Sequence, residues 1–271
     1  MILSAFRKGD KVNYLSITTS LRYYRIPLVL FLLLFVAGMR PIYARSTPDN
    51  INFSRVGIEE GLSQLSVMAI YQDQLGNMWF GTREGLNIYN GSSTKTLHPR
   101  GDSPNSLSGN LIKAIEGDSK GNVFIHTQNG IDEYDIRTGA LHPRVKMQVN
   151  AMCIANDTIY YAKKNGVFRV EDGTVQLVGE LDIDTEITAL RPASGNRLVV
   201  GTIASGVYSM KLSGNSTQIL TPNSRVASLF EDSKGNIWVS TWENGLFKIE
   251  KEGGITRYTR DPGNPSGGPS S

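Results

Sequence analysis

The sequence predicts an all-β fold built from a repeated four-stranded unit, and three observations predict it. The stretch YQDQLGNMWFGTREGL at 71–86 returns in looser form as FEDSKGNIWVSTWENGL at 230–246. Three further copies of the pattern lie between these two. A glycine follows the inner turn of every copy, at Gly85, Gly130, Gly166, Gly206 and Gly245, at intervals of 45, 36, 40 and 39 residues. A period of this length marks a chain that stacks one supersecondary unit many times.

The first 44 residues stand apart from the repeat. Arg7, Lys8, Lys11, Arg22 and Arg25 precede the apolar run IPLVLFLLLFVAGM (26–39), which leads through RPIYA to Ala44. A basic stretch, a short apolar core and a small residue at the end describe a secretory leader, so export to the periplasm with cleavage near Ala44 is expected. The alternative is an uncleaved N-terminal anchor. A spanning helix needs about 20 apolar residues, and Arg25 and Arg40 bracket this run too closely for that. No membrane span is expected beyond the leader.

Separating the leader reverses the charge. The whole chain holds 28 Lys and Arg against 25 Asp and Glu. Residues 1–44 take six of the basic and one of the acidic residues, which leaves 22 against 24, a net charge of −2. No basic stripe points to nucleic acid as a partner. Cys153, the one cysteine, sits in the apolar run AMCIA and reads as a small buried hydrophobe, so no internal disulfide supports the fold.

The units align as VMAIYQDQLGNMWFGTREGLNIYNG (67–91), IKAIEGDSKGNVFIHTQNGIDEYD (112–135), VNAMCIANDTIYYAKKNGVFRVEDG (149–173), ITALRPASGNRLVVGTIASGVYSM (187–210) and VASLFEDSKGNIWVSTWENGLFKIE (226–250). Each opens with V-x-x-I/L, the period-two alternation of a half-buried strand. D-x-x-G-N at 73–77, 118–122 and 232–236 is a turn, in which the Asp accepts backbone N–H groups and Gly-Asn permits a tight reversal. A bulky second strand follows (MWFGT, VFIHT, IWVST), then the glycine turn and a third strand (LNIYN, IDEYD, VFRVE, VYSMK, LFKIE). TKTLHP, ALHPRV, TVQLVGE, TQILTP and ITRYTR close the units as fourth strands, and the prolines in them suit an outermost position with a free edge. Four antiparallel strands repeating in this way are the signature of β-propeller blades. A small residue before Thr at the end of the second strand (Gly81-Thr82, Gly201-Thr202, Ser240-Thr241) suits strands that crowd near an axis.

The phrase V-x-x-I-x-x-D-x-x-G-N-x-W-x-G-T-x-x-G-L-x-x-Y resembles the two-component regulator propeller repeat. So do the lead-in FSRVGIEEGLS (53–63) and the inter-blade loop SPNSLS (103–108). The resemblance covers nearly all of 51–262. It is specific in blades 1, 2 and 5 and weaker in blade 3, which lacks D-x-x-G-N. It implies the periplasmic sensor region of a hybrid two-component histidine kinase and response regulator, a family that commonly responds to breakdown products of complex glycans. It also implies a ring of seven blades, so five blades read as a partial ring, without the kinase that follows in that family. The expected organisation is a leader (1–44), a lead-in strand (51–56), blades at 67–100, 112–145, 149–181, 187–222 and 226–260 within a propeller region of 45–262, and a disordered tail (263–271). The lead-in strand would be the outer strand of a ring's last blade. Blade 5 already owns one in ITRYTR, so further blades are expected.

Catalytic and metal sets are not expected. His98 and His142 occupy equivalent places in two blades (LHPR twice, 44 residues apart) and need not converge. His126 stands where other blades have Gly81 and Ser240, in a repacked core or facing the channel. Asp73, Asp118 and Asp232 recur at one turn of separate blades, whereas a glycosidase pair must sit within about 10 Å. Their turn lacks the length and terminal Glu of a calcium loop. Trp79 and Trp238 share one repeat position and are expected to pack between blades. The loops after the second strands vary within a constant frame: Arg83 and Glu84, Gln128 and Asn129, Lys164 and Asn165, and Trp242, Glu243 and Asn244. Gathered on one face, an exposed aromatic among carboxylates and amides suits sugar recognition, so an oligosaccharide is the expected ligand, with no cofactor. A solvated rim without a ligand is the alternative. A scaffold that completes its ring with another propeller or the remainder of the sensor, and a propeller enzyme acting on glycans, are the rival functions.

Overall fold

The computed structural model describes residues 55–101, 103, 105–182, 184–221, 224–260 and 269–270. The leader and residues 51–54 of the expected lead-in strand lie outside these, and Arg55 and Val56 carry no strand. Every repeat forms one antiparallel sheet. Blade 1 consists of β1 (Val67–Gln72), β2 (Met78–Thr82), β3 (Gly85–Tyr89) and β4 (Thr94–Leu97), and blade 2 of β5 (Ile112–Gly117), β6 (Asn122–Thr127), β7 (Ile131–Asp135) and β8 (Leu141–Val145). Blade 3 follows with β9 (Ala151–Ala155), β10 (Thr158–Lys163), β11 (Gly166–Glu171) and β12 (Thr174–Glu180). Blade 4 has β13 (Ile187–Ala193), β14 (Arg197–Thr202), β15 (Val207–Lys211) and β16 (Ser216–Leu220). Blade 5 has β17 (Val226–Glu231), β18 (Ile237–Thr241), β19 (Leu246–Ile249) and β20 (Ile255–Arg260). Strands lie in chain order in every sheet. From the tail, β21 (Pro269–Ser270) adds to the outer edge of β20, with Thr259 opposite Ser270.

The first strands β1, β5, β9, β13 and β17 stand beside one another in sequence, so they are the inner strands and the fourth strands are outermost. The prolines obey this layout. Pro143 lies in outermost β8 and Pro192 in innermost β13, both edges where a missing N–H breaks no ladder. The second strands of blades 2, 3 and 4 are covered on both faces by neighbouring sheets, so they read as continuous apolar runs. Val123, Phe124 and Ile125 of β6 are all buried, as are Leu198, Val199 and Val200 of β14.

Each junction between blades has its own core. Trp79 and Leu86 of blade 1 pack on Ile112, Ile115, Val123 and Ile125 of blade 2. Phe124 and Ile131 meet Met152, Ile159 and Tyr161 of blade 3. Cys153, Tyr160 and Val167 meet Leu190, Leu198 and Val200 of blade 4, and Val199 and Val207 meet Leu229, Ile237 and Val239 of blade 5. The fourth residue of the opening motif faces the preceding blade throughout. Ile115, Met152, Leu190 and Leu229 are therefore 6%, 4%, 2% and 4% exposed. Ile70, at the same position of blade 1, is 62% exposed.

The repeated turns are built as expected in blades 1, 2 and 5. Asp73 Oδ1 accepts the N–H groups of Leu75 and Asn77 (both 2.9 Å), and its Oδ2 accepts Asn77 Nδ2 (2.9 Å) and Trp79 Nε1 (2.8 Å). Asp232 repeats all four bonds with Lys234, Asn236 and Trp238, which holds its carboxyl well below the usual range, the Trp238 bond contributing most. Asp118 makes the backbone and Asn122 bonds, but Phe124 offers no indole N–H. Blade 3 lacks this turn and joins β9 to β10 through Asn156 and Asp157, both with positive φ (49° and 57°), as a two-residue hairpin demands.

One packing expectation needs correction. Trp79 does bridge blades, edge-on to Tyr134 of blade 2 at 5.2 Å. Trp238 instead stacks on Tyr258 of its own outer strand, at 5.8 Å and 27°, and is only half-buried. The reason is positional, because this face of blade 5 meets no further blade among the described residues.

Candidate functional site: the loop end of blades 1 and 2

The two ends of the blades differ in character. At one end, the turns between first and second strands staple each blade to the next. Gln74 Nε2 donates to Asp118 O (3.1 Å), and Ser119 N and Oγ donate to the Asp157 carboxylate (2.8 and 2.7 Å). Asn156 Nδ2 donates to Asn196 Oδ1 (3.1 Å), and Ser194 N and Oγ donate to Glu231 (both 2.7 Å). At the other end, the hairpins between second and third strands carry the variable loops. The threonine at the end of the second strand closes these hairpins: Thr82 Oγ1 donates to Gly85 O (3.0 Å), Thr202 Oγ1 to Gly206 O and Thr241 Oγ1 to Gly245 O (both 2.8 Å).

Glycine is obligatory just after that threonine turn because the outer strand returns close by. A Cβ on Gly206 would lie 2.1 Å from the carbonyl oxygen of Leu220, at a φ of 90°. Positive φ and contact with backbone together leave no room for another residue.

Of the nine loop residues expected to bind, Glu84, Gln128 and Asn129 come together. They line one cleft of about 400 Å³ with His98, Pro99, Ser108, Gly109 and Asn110. Its floor is organised by amides. Gln128 Oε1 accepts the Leu111 N–H (2.7 Å), Gln128 Nε2 donates to Asn110 Oδ1 (2.8 Å), and Asn129 Nδ2 donates to Ser108 O (2.7 Å). Glu84 is exposed at the rim, and Arg83 beside it is exposed but does not line the cleft.

The other expected residues stand elsewhere. Lys164, at a φ of 54°, donates its N–H to Asn150 Oδ1 (3.2 Å), and Asn165 Nδ2 donates to Leu181 O (2.9 Å), so blade 3 uses both to fasten its own connections. Trp242 is 71% exposed, with the Arg225 guanidinium 5.4 Å from its ring centre. The Glu243 N–H donates to Ser224 Oγ (3.1 Å), and Asn244 O accepts from Arg257 Nε (2.8 Å). This blade 5 group is organised around an aromatic and two arginines rather than around the blade 1–2 cleft.

Two features escaped sequence reasoning. His98, expected not to converge with His142, lines the cleft without it. In blades 1 and 2 a polar side chain in the third strand holds the segment that leads into the first strand. Asn87 Oδ1 accepts the Ser63 N–H (2.9 Å), and Asp132 accepts the Ser108 N–H (2.8 Å) and Ser108 Oγ. Burial pushes the Asp132 carboxyl up from its ordinary value, and the Ser108 bonds oppose that shift. The signal was present: Leu-Ser recurs at 62–63 and 107–108, and Asn87 and Asp132 occupy a position that is Phe168, Tyr208 and Phe247 in the other blades.

His126 is settled as core. It is buried, with Nε2 3.2 Å from Val149 O, and burial lowers its pKa to about 4, with Lys113 adding to the effect. At equivalent places a Cβ on Gly81 would meet Ile112 Cγ2 at 2.5 Å, and one on Gly201 would meet Val226 Cγ1 at 2.4 Å. Blade 2 accommodates an imidazole because its neighbour β9 begins at Ala151, leaving Val149 outside the strand. Cys153 is buried as expected, which pushes its thiol pKa up.

The sequence family described as the two component regulator propeller matches residues 61–84 and 220–243. Over 67 residues the chain is 36% identical to histidine kinase P4 of Formosa agariphila, a match covering 25% of this chain and 5% of that kinase. Among solved structures, the extracellular domain of a hybrid two component system from B. thetaiotaomicron superposes with a TM-score of 0.66 at 22% identity, covering 76% of this chain and 32% of that one. The extracellular domain of a one component system from the same organism gives 0.57 at 19% identity, covering 72% and 28%. The chain thus spans about a third or less of the length of these relatives, and the structural likeness is one of fold.

Proposed function

We propose that this chain, which carries two-component regulator propeller repeats, supplies blades to an exported sensor and that the loop end of blades 1 and 2 takes its ligand, an oligosaccharide. The cleft of about 400 Å³ in which Glu84, His98, Gln128 and Asn129 converge carries this reading. Carboxylate, imidazole and amide groups offer both donors and acceptors to ring hydroxyls, on a frame fixed by backbone hydrogen bonds. The leader pattern of residues 1–44 and the names of the relatives, extracellular domains and a histidine kinase, support export and signalling. No catalytic step is assigned to the chain.

A thermal-shift titration of the protein with a panel of oligosaccharides tests the reading, since a ligand that binds the native state raises the melting temperature. A glycan that raises it in the wild type should lose its effect in Glu84→Ala/Asn129→Ala. If no member of the panel shifts the transition, or if the double variant responds as before, the cleft is not the sensor site. Trp242→Ala is the companion variant. It should matter only for glycans long enough to reach blade 5.

A second reading is favoured by the outward faces of blades 1 and 5. Ile70 on one and Phe230 on the other are apolar and exposed, whereas the interior blades bury Ile115, Met152 and Leu190 at the place of Ile70, and blade 3 buries Cys153 at the place of Phe230. Further blades, from the same or another polypeptide, would cover them. Sedimentation of the chain at rising concentration distinguishes the cases. A concentration-dependent dimer favours the scaffold reading, and a monomer that binds glycan favours the sensor.

A further inference from the structure

Four Asn-Gly steps stand in the chain, at 90–91, 129–130, 165–166 and 244–245, and the fold treats one of them differently. Three sit in the hairpins between second and third strands, whereas Asn90 and Gly91 open the turn between β3 and β4. Asn90, Gly91, Ser92 and Ser93 are all exposed. We infer that Asn90-Gly91 is a self-modifying site, at which the chain converts its own asparagine to aspartate or isoaspartate through a succinimide.

The reaction takes nothing but water. The main-chain nitrogen of Gly91 gives up its proton to solvent and attacks Asn90 Cγ, and negative charge gathers on Oδ1. The Cγ–Nδ2 bond then breaks, and Nδ2 takes up a proton from solvent and leaves as ammonia. Water opens the ring at either carbonyl. Asparagine and one water thus become a carboxylic acid and ammonia, with no oxidation or reduction.

The turn supplies what these steps require. Asn90 Oδ1 accepts the N–H groups of Ser92 (3.0 Å) and Ser93 (2.9 Å) and the hydroxyls of Ser92 (3.0 Å) and Ser93 (3.3 Å). Two backbone N–H donors identify that atom as the carbonyl oxygen. Donors already aimed at the oxygen where charge develops are the arrangement of an oxyanion hole. Bonds to residues two and three further on fold the side chain forward over the Gly91 peptide, which lies between. Among the described residues neither the Gly91 N–H nor Asn90 Nδ2 has a hydrogen-bond partner, so nucleophile and leaving group are both free. A Cβ on Gly91 would meet nothing within 4 Å, so the peptide has room to turn.

The other three steps lack these conditions. Asn129 Nδ2 donates to Ser108 O (2.7 Å) and Asn165 Nδ2 to Leu181 O (2.9 Å), which ties each leaving group to another segment. Arg257 holds Asn244 through its O (2.8 Å) and its Oδ1 (3.3 Å). Their glycines are held as well. A Cβ on Gly130 or Gly245 would fall against the carbonyl oxygen of Val145 or Tyr258, and Gly166 pairs with Glu180 in the ladder. The Asn90 site shares no residue with the loop cleft and does not rest on it.

Peptide mapping by mass spectrometry is the test, on the full chain incubated in buffer and in urea, each at neutral and alkaline pH. In buffer Asn90 should gain the mass of the acid at least tenfold faster than Asn129, Asn165 or Asn244, and faster at alkaline than at neutral pH. In urea the four steps should react within about threefold of one another, because they share the same two residues. Ser92→Ala/Ser93→Ala removes two donors from Oδ1 in an exposed turn and should slow Asn90 at least threefold. Should that variant not fold, the four steps of the wild type decide by themselves. The inference is overturned if Asn90 leads by less than tenfold in buffer, if that lead survives urea, if its rate does not rise with pH, or if the folded serine variant slows by less than threefold.

Discussion

At the scale of single residues, the turn aspartates do more than reverse the chain. Asp73 is buried and neutralises four donors, one of them the indole N–H of a tryptophan that is itself 1% exposed. Asp73→Ala would leave that N–H unpaired in the blade 1–2 core and should cost about 2–4 kcal/mol. Asp118→Ala should cost less, since Phe124 has no such donor to strand. Urea denaturation of the two variants measures the difference, and equal losses would mean that the indole bond contributes nothing. His126 gives a pH signature. Its folded pKa near 4 lies below the ordinary value of about 6.5, so the unfolded chain binds the proton more readily between these limits. Stability from this group is fully present above pH 6.5 and falls as pH drops towards 4, by roughly 3 kcal/mol in all. His126→Ala should flatten that segment of the stability profile, and an unchanged slope would assign it to other groups. Asp73, Asp118 and Asp232 were legible as turn residues from their spacing alone. The tryptophan bonds were not, because an i to i+6 contact depends on the strand pleat that follows the turn.

At the scale of elements, each blade is an ordinary meander, and in the interior blades 2, 3 and 4 the second strand is buried on both faces. Close approach to the next blade fixes small residues near its inner end. Gly81→Ala would drive a methyl into Ile112 and should destabilise by about 1–3 kcal/mol. The same substitution should cost less in an Ile112→Ala background, and a double-mutant cycle by thermal or urea unfolding measures that coupling. Purely additive losses would place the strain elsewhere. The sequence pattern of small residue then Thr had indicated crowding near an axis. Only the packed sheets show that the crowding partner is the first residue of the following blade, and that late-starting β9 relieves it at His126. The candidate loops divide for a related reason. Gln128 and Asn129 are drawn into the cleft by the connection at 108–111, whereas Asn165 is consumed by the backbone of its own blade.

At the scale of the whole molecule, five sheets stack by junction, so stability should be a sum of blade and nearest-neighbour terms. Inner-strand contacts add a longer tie: Glu116 of blade 2 accepts the Ile154 N–H of blade 3 (2.9 Å) and the guanidinium of Arg191 in blade 4. The outward faces behave differently from the junctions. Ile115→Ala should cost about 2–5 kcal/mol, as expected of a buried aliphatic. Ile70→Ala, at the same repeat position, should stay within about 0.5 kcal/mol. Comparable losses at both positions would show that blade 1 is covered in solution. The comparison thus reads directly whether the exposed face finds a partner.

The sequence by itself determined the repeat, the four-strand order of each blade, the outermost fourth strands and the Asp turns. These follow from local rules: alternation, turn chemistry and the positional limits on proline. The tertiary structure decided which loop residues meet, where Trp238 packs and why a histidine fits among glycines. Each of these depends on the distance between residues of different blades. A repeat period records how one blade is made, and the space between two blades is set only when both sheets, with their particular side chains, are packed against each other.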